Sequence, residues 1–295
     1  MTSWIDEAPP AAALPEPGAS ALYVVDLYNR MRRYFAVPDG PRWAWRRMHD
    51  WAERLLRERR PTHVACASDN PWPTWRSERA PGRWKAGRQQ LPPAEKAAFL
   101  EQVRIAEEVL WDALGIRTFA VKGFDGDDVA ASLAEIGTVA GLPVVLASND
   151  TDLLQLVVTL GAKEGVVAWN CEHVGGRVLG PDGVRGVLGV WPWQVVDRMA
   201  LVGKDAPGVE GIGEKSATTI IQEFSDLDSA LEELAVFEEE LKQPARGVIR
   251  SRWVKIGVRY AAALSKGRVD ALLSRELVQL RRDALPGVTA DDLRA

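Results

Sequence analysis

Five aspartates stand in two tight groups, Asp125-Gly126-Asp127-Asp128 and Asp150-Thr151-Asp152, each beside an apolar run, residues 129–133 in one case and 142–146 in the other. Such junctions lie where a buried element meets a polar surface. Asp is seldom buried without compensation, and neighbouring carboxylates repel and raise one another's pKa unless a cation sits among them. Oxygen-only donors suit a hard divalent ion, Mg²⁺ or Mn²⁺. A local reading competes: Asp127 caps the helix that follows, and Asp150 and Asp152 form a turn.

The elements that must position these groups are legible in the apolar pattern. Ala21-Leu22-Tyr23-Val24-Val25 ends in Asp26, as a central strand of an α/β sheet ends on its carboxyl edge. His63-Val64-Ala65-Cys66-Ala67 repeats the pattern and ends in Ser68-Asp69; further runs end near Lys122, at 143–147 and at 165–169. Residues 42–59, with Trp43, Trp51 and Leu55-Leu56 at helical spacing, read as a helix stopped by Pro61, and residues 95–115 as a long amphipathic helix. Strands alternating with helices predict a mostly parallel sheet flanked by helices. Its carboxyl edge then gathers Asp26, Asp69, Asp127, Asp128, Asp150 and Asp152.

Between Asn70 and Pro93 the composition changes to Trp72, Trp75-Arg76, Arg79, Arg83-Trp84-Lys85 and Arg88. Cations interleaved with aromatics make a surface that holds phosphates and stacks bases. A plain solvated loop explains the charges but not the three tryptophans. The second half reads as helices at 193–201, up to Phe224, at 227–241 and at 249–264, the last carrying Arg250, Arg252, Lys255 and Arg259 as either a phosphate face or a solvated one. Gly211-Ile212-Gly213 leads into Lys215 and Ser216 at a helix start, where backbone N–H groups and a cation face one anion. A tight helix–helix turn is the plainer reading; within a helical hairpin the same residues hold a duplex backbone without reading bases.

The chain has 295 residues, 46% apolar and 26% charged, a soluble globular composition long enough for one large or two modest domains. A formal charge of −4 neither announces nor excludes a nucleic-acid partner, since divalent ions in an acidic site offset it. Cys66 and Cys171 lack paired spacing and read as reduced residues of a cytosolic protein. No basic segment leads into an apolar run and no long apolar span exists, which argues against secretion and membrane insertion. His49, His63 and His173 are scattered and read as structural. Residues 1–19, with Pro9, Pro10, Pro15 and Pro17, read as a flexible leader.

Taken in order, these motifs resemble the 5′-nuclease family, which includes the 5′→3′ exonuclease domain of bacterial DNA polymerase I, phage 5′-exonucleases and flap endonucleases. The resemblance runs from about Ala21 to Pro286. Val24-Val25-Asp26 and Ser68-Asp69 resemble strand ends with metal-binding aspartates. Trp75-Arg76 and Arg83-Trp84-Lys85-Ala86-Gly87-Arg88 resemble the entry to the helical arch that clasps the 5′ strand. Gly123-Phe124-Asp125-Gly126-Asp127-Asp128 stands where the family usually has Gly-Tyr-Glu-Ala-Asp-Asp, and Asp150-Thr151-Asp152-Leu153-Leu154-Gln155-Leu156 where it has Asp-Lys-Asp-Leu-x-Gln-Leu. Residues 207–217 resemble the helix-two-turn-helix motif and residues 273–283 the family's last conserved block.

The resemblance implies a PIN-like α/β nuclease core over 20–190 with an arch segment at about 70–95, and a helical DNA-binding region over 191–295. It implies a cytoplasmic monomer that cuts DNA with 5′ ends or flaps by metal-activated water. The implied metal ligands are Asp26, Asp69, Asp125, Asp127, Asp128, Asp150, Asp152 and Asp205. Arg76, Lys85 and Arg88 join Asp26, Asp69, Asp128 and Asp150 in catalysis. Gly211, Gly213, Lys215 and Ser216 hold the duplex, with K⁺ at the hairpin. Two departures bear on this. Asp125 replaces the usual Glu, a methylene shorter. The run Gly203-Lys204-Asp205-Ala206-Pro207 is three residues shorter than the family's and lacks the earlier of two aspartates, which points to a weakened second metal site. A structure-specific DNA-binding protein with weak or lost cutting is the alternative.

Overall fold

The computed structural model describes residues 12–160, 163–169, 176–242 and 251–295. In chain order the elements are β1 (Leu22–Asp26), α1 (Leu27–Phe35), α2 (Gly40–Arg59), β2 (His63–Ala67), α3 (Trp75–Arg79), α4 (Pro93–Leu114), β3 (Arg117–Phe119), α5 (Gly126–Val139) and β4 (Val144–Ala147). A 3₁₀ turn (Thr151–Leu156) precedes β5 (Val158–Leu160), β6 (Lys163–Trp169), β7 (Val178–Leu179) and α6 (Pro181–Leu188). The rest is helical: α7 (Val195–Val202), α8 (Glu214–Phe224), α9 (Leu227–Lys242), α10 (Arg252–Ile256) and α11 (Val258–Val278).

The chain forms two compact units. The first comprises residues 12–75, 89–183 and 280–295; the second comprises 76–88 and 184–279. This division cuts across a boundary at 190, because the arch segment groups with the helices and the last residues group with the sheet.

In the first unit the strand order is β3-β2-β1-β4-β6-β5, with β7 beside β6. Pairs β3/β2, β2/β1, β1/β4 and β4/β6 are parallel, and β5 and β7 pair antiparallel with β6. Strand alternation sends Tyr23 and Val25 into a cluster with Met31, Met48, Phe99 and Leu110, from α1, α2 and α4. Leu22 and Val24 point the other way, onto Val129 and Leu133 of α5 and onto Leu280, Ala284 and Leu293. Both faces of the sheet are therefore covered, as a parallel sheet requires.

The leader is anchored from residue 12 onward: Ala12 and Leu14 pack against the first cluster, and the Gly18 N–H donates to the Arg59 carbonyl at 2.8 Å. Apolar contacts outweigh its proline content, and its residues 1–11 lie outside those described. So do Cys171, His173 and Arg250. Cys66 is a buried free thiol that burial pushes up to about 12, and His63 is buried with its ring nitrogen 2.9 Å from Thr62 Oγ1.

In the second unit the helix expected over 249–264 is two helices. Gly257, with φ 127°, ends α10 and starts α11, a conformation closed to side-chain-bearing residues. The hairpin between α7 and α8 rests on α11, where a side chain at Gly267 would meet Val209 at 2.8 Å.

Candidate active site

The strand ends deliver the acids. Asp26 closes β1 and caps α1, its Oδ1 accepting the Asn29 N–H at 3.0 Å, while its Oδ2 accepts from Ser148 Oγ at 2.7 Å. Ser148 Oγ also accepts the Asp150 N–H at 3.0 Å, so one hydroxyl ties the ends of β1 and β4 together. Asp150 Oδ1 accepts the Asp152 N–H at 3.1 Å. The local turn reading is thus observed for Asp150, alongside its place in the cluster. Asp69 Oδ1 accepts the Gly126 N–H at 2.7 Å, at the positive end of α5. A side chain at Gly126 would meet Asp69 Oδ1 at 3.1 Å, so the missing Cβ permits this approach.

Asp127 is the centre of the group. Burial pushes its carboxyl well above the usual range, and the charges that raise it further are Asp26, Asp150, Asp69 and Asp152, in that order. Among the described residues no donor is hydrogen-bonded to it. Burial likewise raises Asp26 to about 6, against the bonds from Ser148 and Asn29. Tyr28 is pushed up to about 12, by burial first and then by Asp69.

Five carboxylates and no sulfur or imidazole form a donor set for a hard divalent cation. The Asp127 carboxyl, raised by burial and by the four carboxylates around it, fits one. Among the described residues no three His, Cys, Asp or Glu side chains stand in metal-ligand geometry.

Three of the expected site residues have protein partners of their own. Asp128, expected as a ligand, is fully buried: its Oδ2 accepts the Trp75 indole N–H at 3.0 Å and its Oδ1 the Arg281 N–H at 2.9 Å. Arg76, expected at the scissile phosphate, is 2% exposed, with its Nε donating to the Leu277 carbonyl at 2.5 Å and Nη2 to that of Gln279 at 3.3 Å. It caps the C-terminus of α11. Removing it leaves those carbonyls unpaired, so Arg76→Ala should cost on the order of 3 kcal/mol in chemical denaturation while leaving intrinsic phosphate affinity in place. Asp205, expected at the second metal, has its Oδ2 3.7 Å from Arg88 Nη2.

Asp125 occupies the N-cap position of α5 and is buried. The other arch cations also pair with α11: Arg79 with Glu276 at 2.7 Å and Arg83 with Asp270 at 2.6 Å. At the hairpin, Gly211 has φ 86°, Ile212 is buried, and Ser216 Oγ donates to the Gly213 carbonyl at 3.0 Å. Lys215 is exposed and a Cβ at Gly213 would meet nothing within 4 Å, so the tip is open.

The sequence assigns no role to Ser148, which opens the stretch 148–153 with the second acidic group, or to Glu107. The first stands two residues before Asp150, which was a usable signal. Glu107 accepts from Ser68 Oγ at 2.8 Å, and burial raises its carboxyl; nothing in the α4 sequence marked it.

A mostly parallel sheet with carboxylates at its C-terminal edge, in a chain that also carries a Gly-Ile-Gly helical hairpin, defines a nuclease of the α/β type. Residues 21–177 match the 5′-3′ exonuclease N-terminal resolvase-like domain, and residues 190–295 the 5′-3′ exonuclease C-terminal SAM fold. The chain belongs to the 5′-3′ exonuclease family. It is 35% identical over 214 residues to a 5′-3′ exonuclease of Streptomyces coelicolor, covering 66% of this chain and 69% of the relative. It is 32% identical over 251 residues to DNA polymerase I of a Synechocystis species, covering 82% of this chain but only 22% of that polymerase. The fold is similar to that of the T5 D15 protein co-crystallised with metal ions, with a TM-score of 0.68 at 23% identity over 92% of this chain and 95% of the other. It is also similar to the catalytic core of Rad2 in complex with DNA substrate, with a TM-score of 0.59 at 12% identity over 95% and 85%. At these identities the likeness is one of fold.

Proposed function

We propose that this chain hydrolyses phosphodiester bonds in DNA bearing 5′ ends or flaps, using divalent cations, Mg²⁺ or Mn²⁺, held by Asp26, Asp69, Asp127, Asp150 and Asp152. The observation that carries the reading is Asp127, half-buried among four like charges with no hydrogen-bond donor to it among the described residues. A cation bound there supplies a water of lowered pKa and a counter-charge for the transition state. Asp26 and Asp150 are held in register for it by Ser148, and Asp69 by the N-terminus of α5. Asp125 contributes through water. Gly211, Gly213, Lys215 and Ser216 hold a duplex phosphate, with K⁺ at the hairpin. DNA as the substrate is supported by the T5 D15 flap endonuclease complex with DNA and metal ions and by the Rad2 complexes. No helix among the described residues is long and apolar enough to cross a membrane. A cytoplasmic monomer remains the reading from sequence.

Labelled 5′-flap, blunt and single-stranded substrates, incubated with the protein in Mg²⁺, Mn²⁺ or EDTA, test the proposal. Metal-dependent release of 5′ products is expected; tight binding without cutting in either metal would establish the binding-protein reading instead.

Lys85 and Arg88 are assigned to the charge that develops on the scissile phosphate. Lys85→Ala and Arg88→Ala should each slow single-turnover cleavage by roughly 100-fold while changing DNA affinity only a few-fold. Unchanged single-turnover rates would remove both residues from the chemistry.

A further inference from the structure

We infer that Asp205 is the positioning residue for the basic turn at 85–88, and that it does this in place of binding metal. The inference rests on the nuclease reading for its consequence, but its geometry lies wholly within the second unit.

Lys85 has φ 55°, a left-handed conformation that costs a lysine roughly 1 kcal/mol or more and persists only where its surroundings enforce it. What enforces it is Asp205. The Lys85 N–H donates to the Asp205 carbonyl at 2.7 Å, and the turn is closed by the Arg88 N–H on the Lys85 carbonyl at 3.0 Å. Arg88 Nη2 then lies 3.7 Å from Asp205 Oδ2. One residue therefore holds the turn twice, at Lys85 through its backbone and at Arg88 through its side chain.

Asp205 is itself fixed. Gly203 and Gly208, with φ 75° and 65°, cross so closely that a Cβ at Gly203 would lie 2.4 Å from the Gly208 Cα. The neck of the loop is closed by the Val209 N–H on the Leu201 carbonyl at 2.9 Å, and Gly208 N donates to Ser274 Oγ at 2.9 Å. The shortened loop is thus a pinched one, with Asp205 at its tip. The preceding cations of the segment, Arg76, Arg79 and Arg83, are engaged along α11. Asp205 completes that path at the two residues assigned to the phosphate.

The ion pair is long, and the Arg88 side chain is 44% exposed, so it is weak and exchangeable. An incoming phosphate can take Arg88 from the carboxylate while the backbone bond keeps Lys85 in place. Holding reacting groups in advance removes orientational cost from the chemical step.

The test combines Asp205→Asn, Arg88→Gln and the double variant in single-turnover cleavage of 5′-flap DNA, with Mn²⁺ titration calorimetry and amide hydrogen exchange in the absence of DNA. Asp205→Asn is expected to slow cleavage about 10-fold, and the double variant to be no slower than Arg88→Gln alone. Exchange at Arg88 should quicken while Lys85, held by the backbone carbonyl that the variant keeps, stays protected, and Mn²⁺ affinity should equal that of the wild type. Asp205→Glu, which keeps the charge, should recover exchange protection and most of the rate. Weakened Mn²⁺ binding, multiplicative rate losses or unchanged exchange at Arg88 in Asp205→Asn would each overturn the inference. A wild-type protein that cuts nothing would sink the nuclease reading instead, and exchange and calorimetry would still decide the role of Asp205.

Discussion

Asp127→Asn should make the metal-free protein more stable and abolish its cutting. A carboxyl whose pKa is higher in the folded chain than in the unfolded one binds its proton more tightly when folded. Its stabilising contribution is therefore complete below the unfolded value and lost as pH rises through the folded one. For Asp26 that window runs from about pH 4 to about 6, and Asp127 is raised as well, by burial and by the four aspartates around it. A window of that width corresponds to roughly 3 kcal/mol. The metal-free melting temperature should accordingly fall as pH rises from 4 past 6, and Mg²⁺ should raise it more at pH 8 than at pH 5. Removing the central charge should flatten both responses, while cleavage drops by more than the roughly 100-fold typical of a residue outside the ligand shell. Scanning calorimetry at several pH values, with flap cleavage alongside, measures this. A variant that melts below the wild type without metal would show that Asp127 is not repelled as described.

The adjacent substitution should do the reverse. Asp128→Asn places an amide where a carboxylate accepts from both the Trp75 indole and the Arg281 backbone. One side of the amide can still accept, but the other turns a donor toward a donor in a fully buried position. The expected cost is about 2–3 kcal/mol in urea unfolding, with Mg²⁺ affinity unchanged in calorimetry. Loss of Mg²⁺ binding at unchanged stability would return Asp128 to the ligand set.

This pair marks the boundary of what sequence could tell. Strand ends are written in short apolar runs closed by an acid, so Asp26, Asp69 and Asp150 could be placed on one edge without coordinates. Which partners each of two successive helical aspartates takes depends on the rotation of α5 about its axis, and both residues have the same side chain. The arch segment shows a second limit. Cations among tryptophans describe a phosphate-holding surface, and nothing local distinguishes arginines with protein partners from those without. The partners here, Asp270, Glu276 and the carbonyls of Leu277 and Gln279, lie about 190 to 200 residues away in sequence. No local pattern encodes a pairing at that distance. Gly257 illustrates a third: apolar spacing ran on through it, but its backbone conformation broke the helix.

The strap at residues 280–284 carries a consequence for biogenesis. It is stitched to the sheet unit by Leu280 N to Gln155 Oε1, Arg281 N to Asp128 Oδ1 and Ala284 N to Ser132 Oγ. Asp128 therefore leaves the ribosome 153 residues ahead of the backbone group that satisfies it. At roughly 10 residues per second that is a wait of about 15 s, during which a buried carboxylate site and the apolar face awaiting Leu280, Ala284 and Leu293 stay open. The strands can pair as they emerge, but the face that receives Leu280, Ala284 and Leu293 is covered only once the strap has been made, so slowing synthesis between α5 and the strap lengthens its exposure to chaperones.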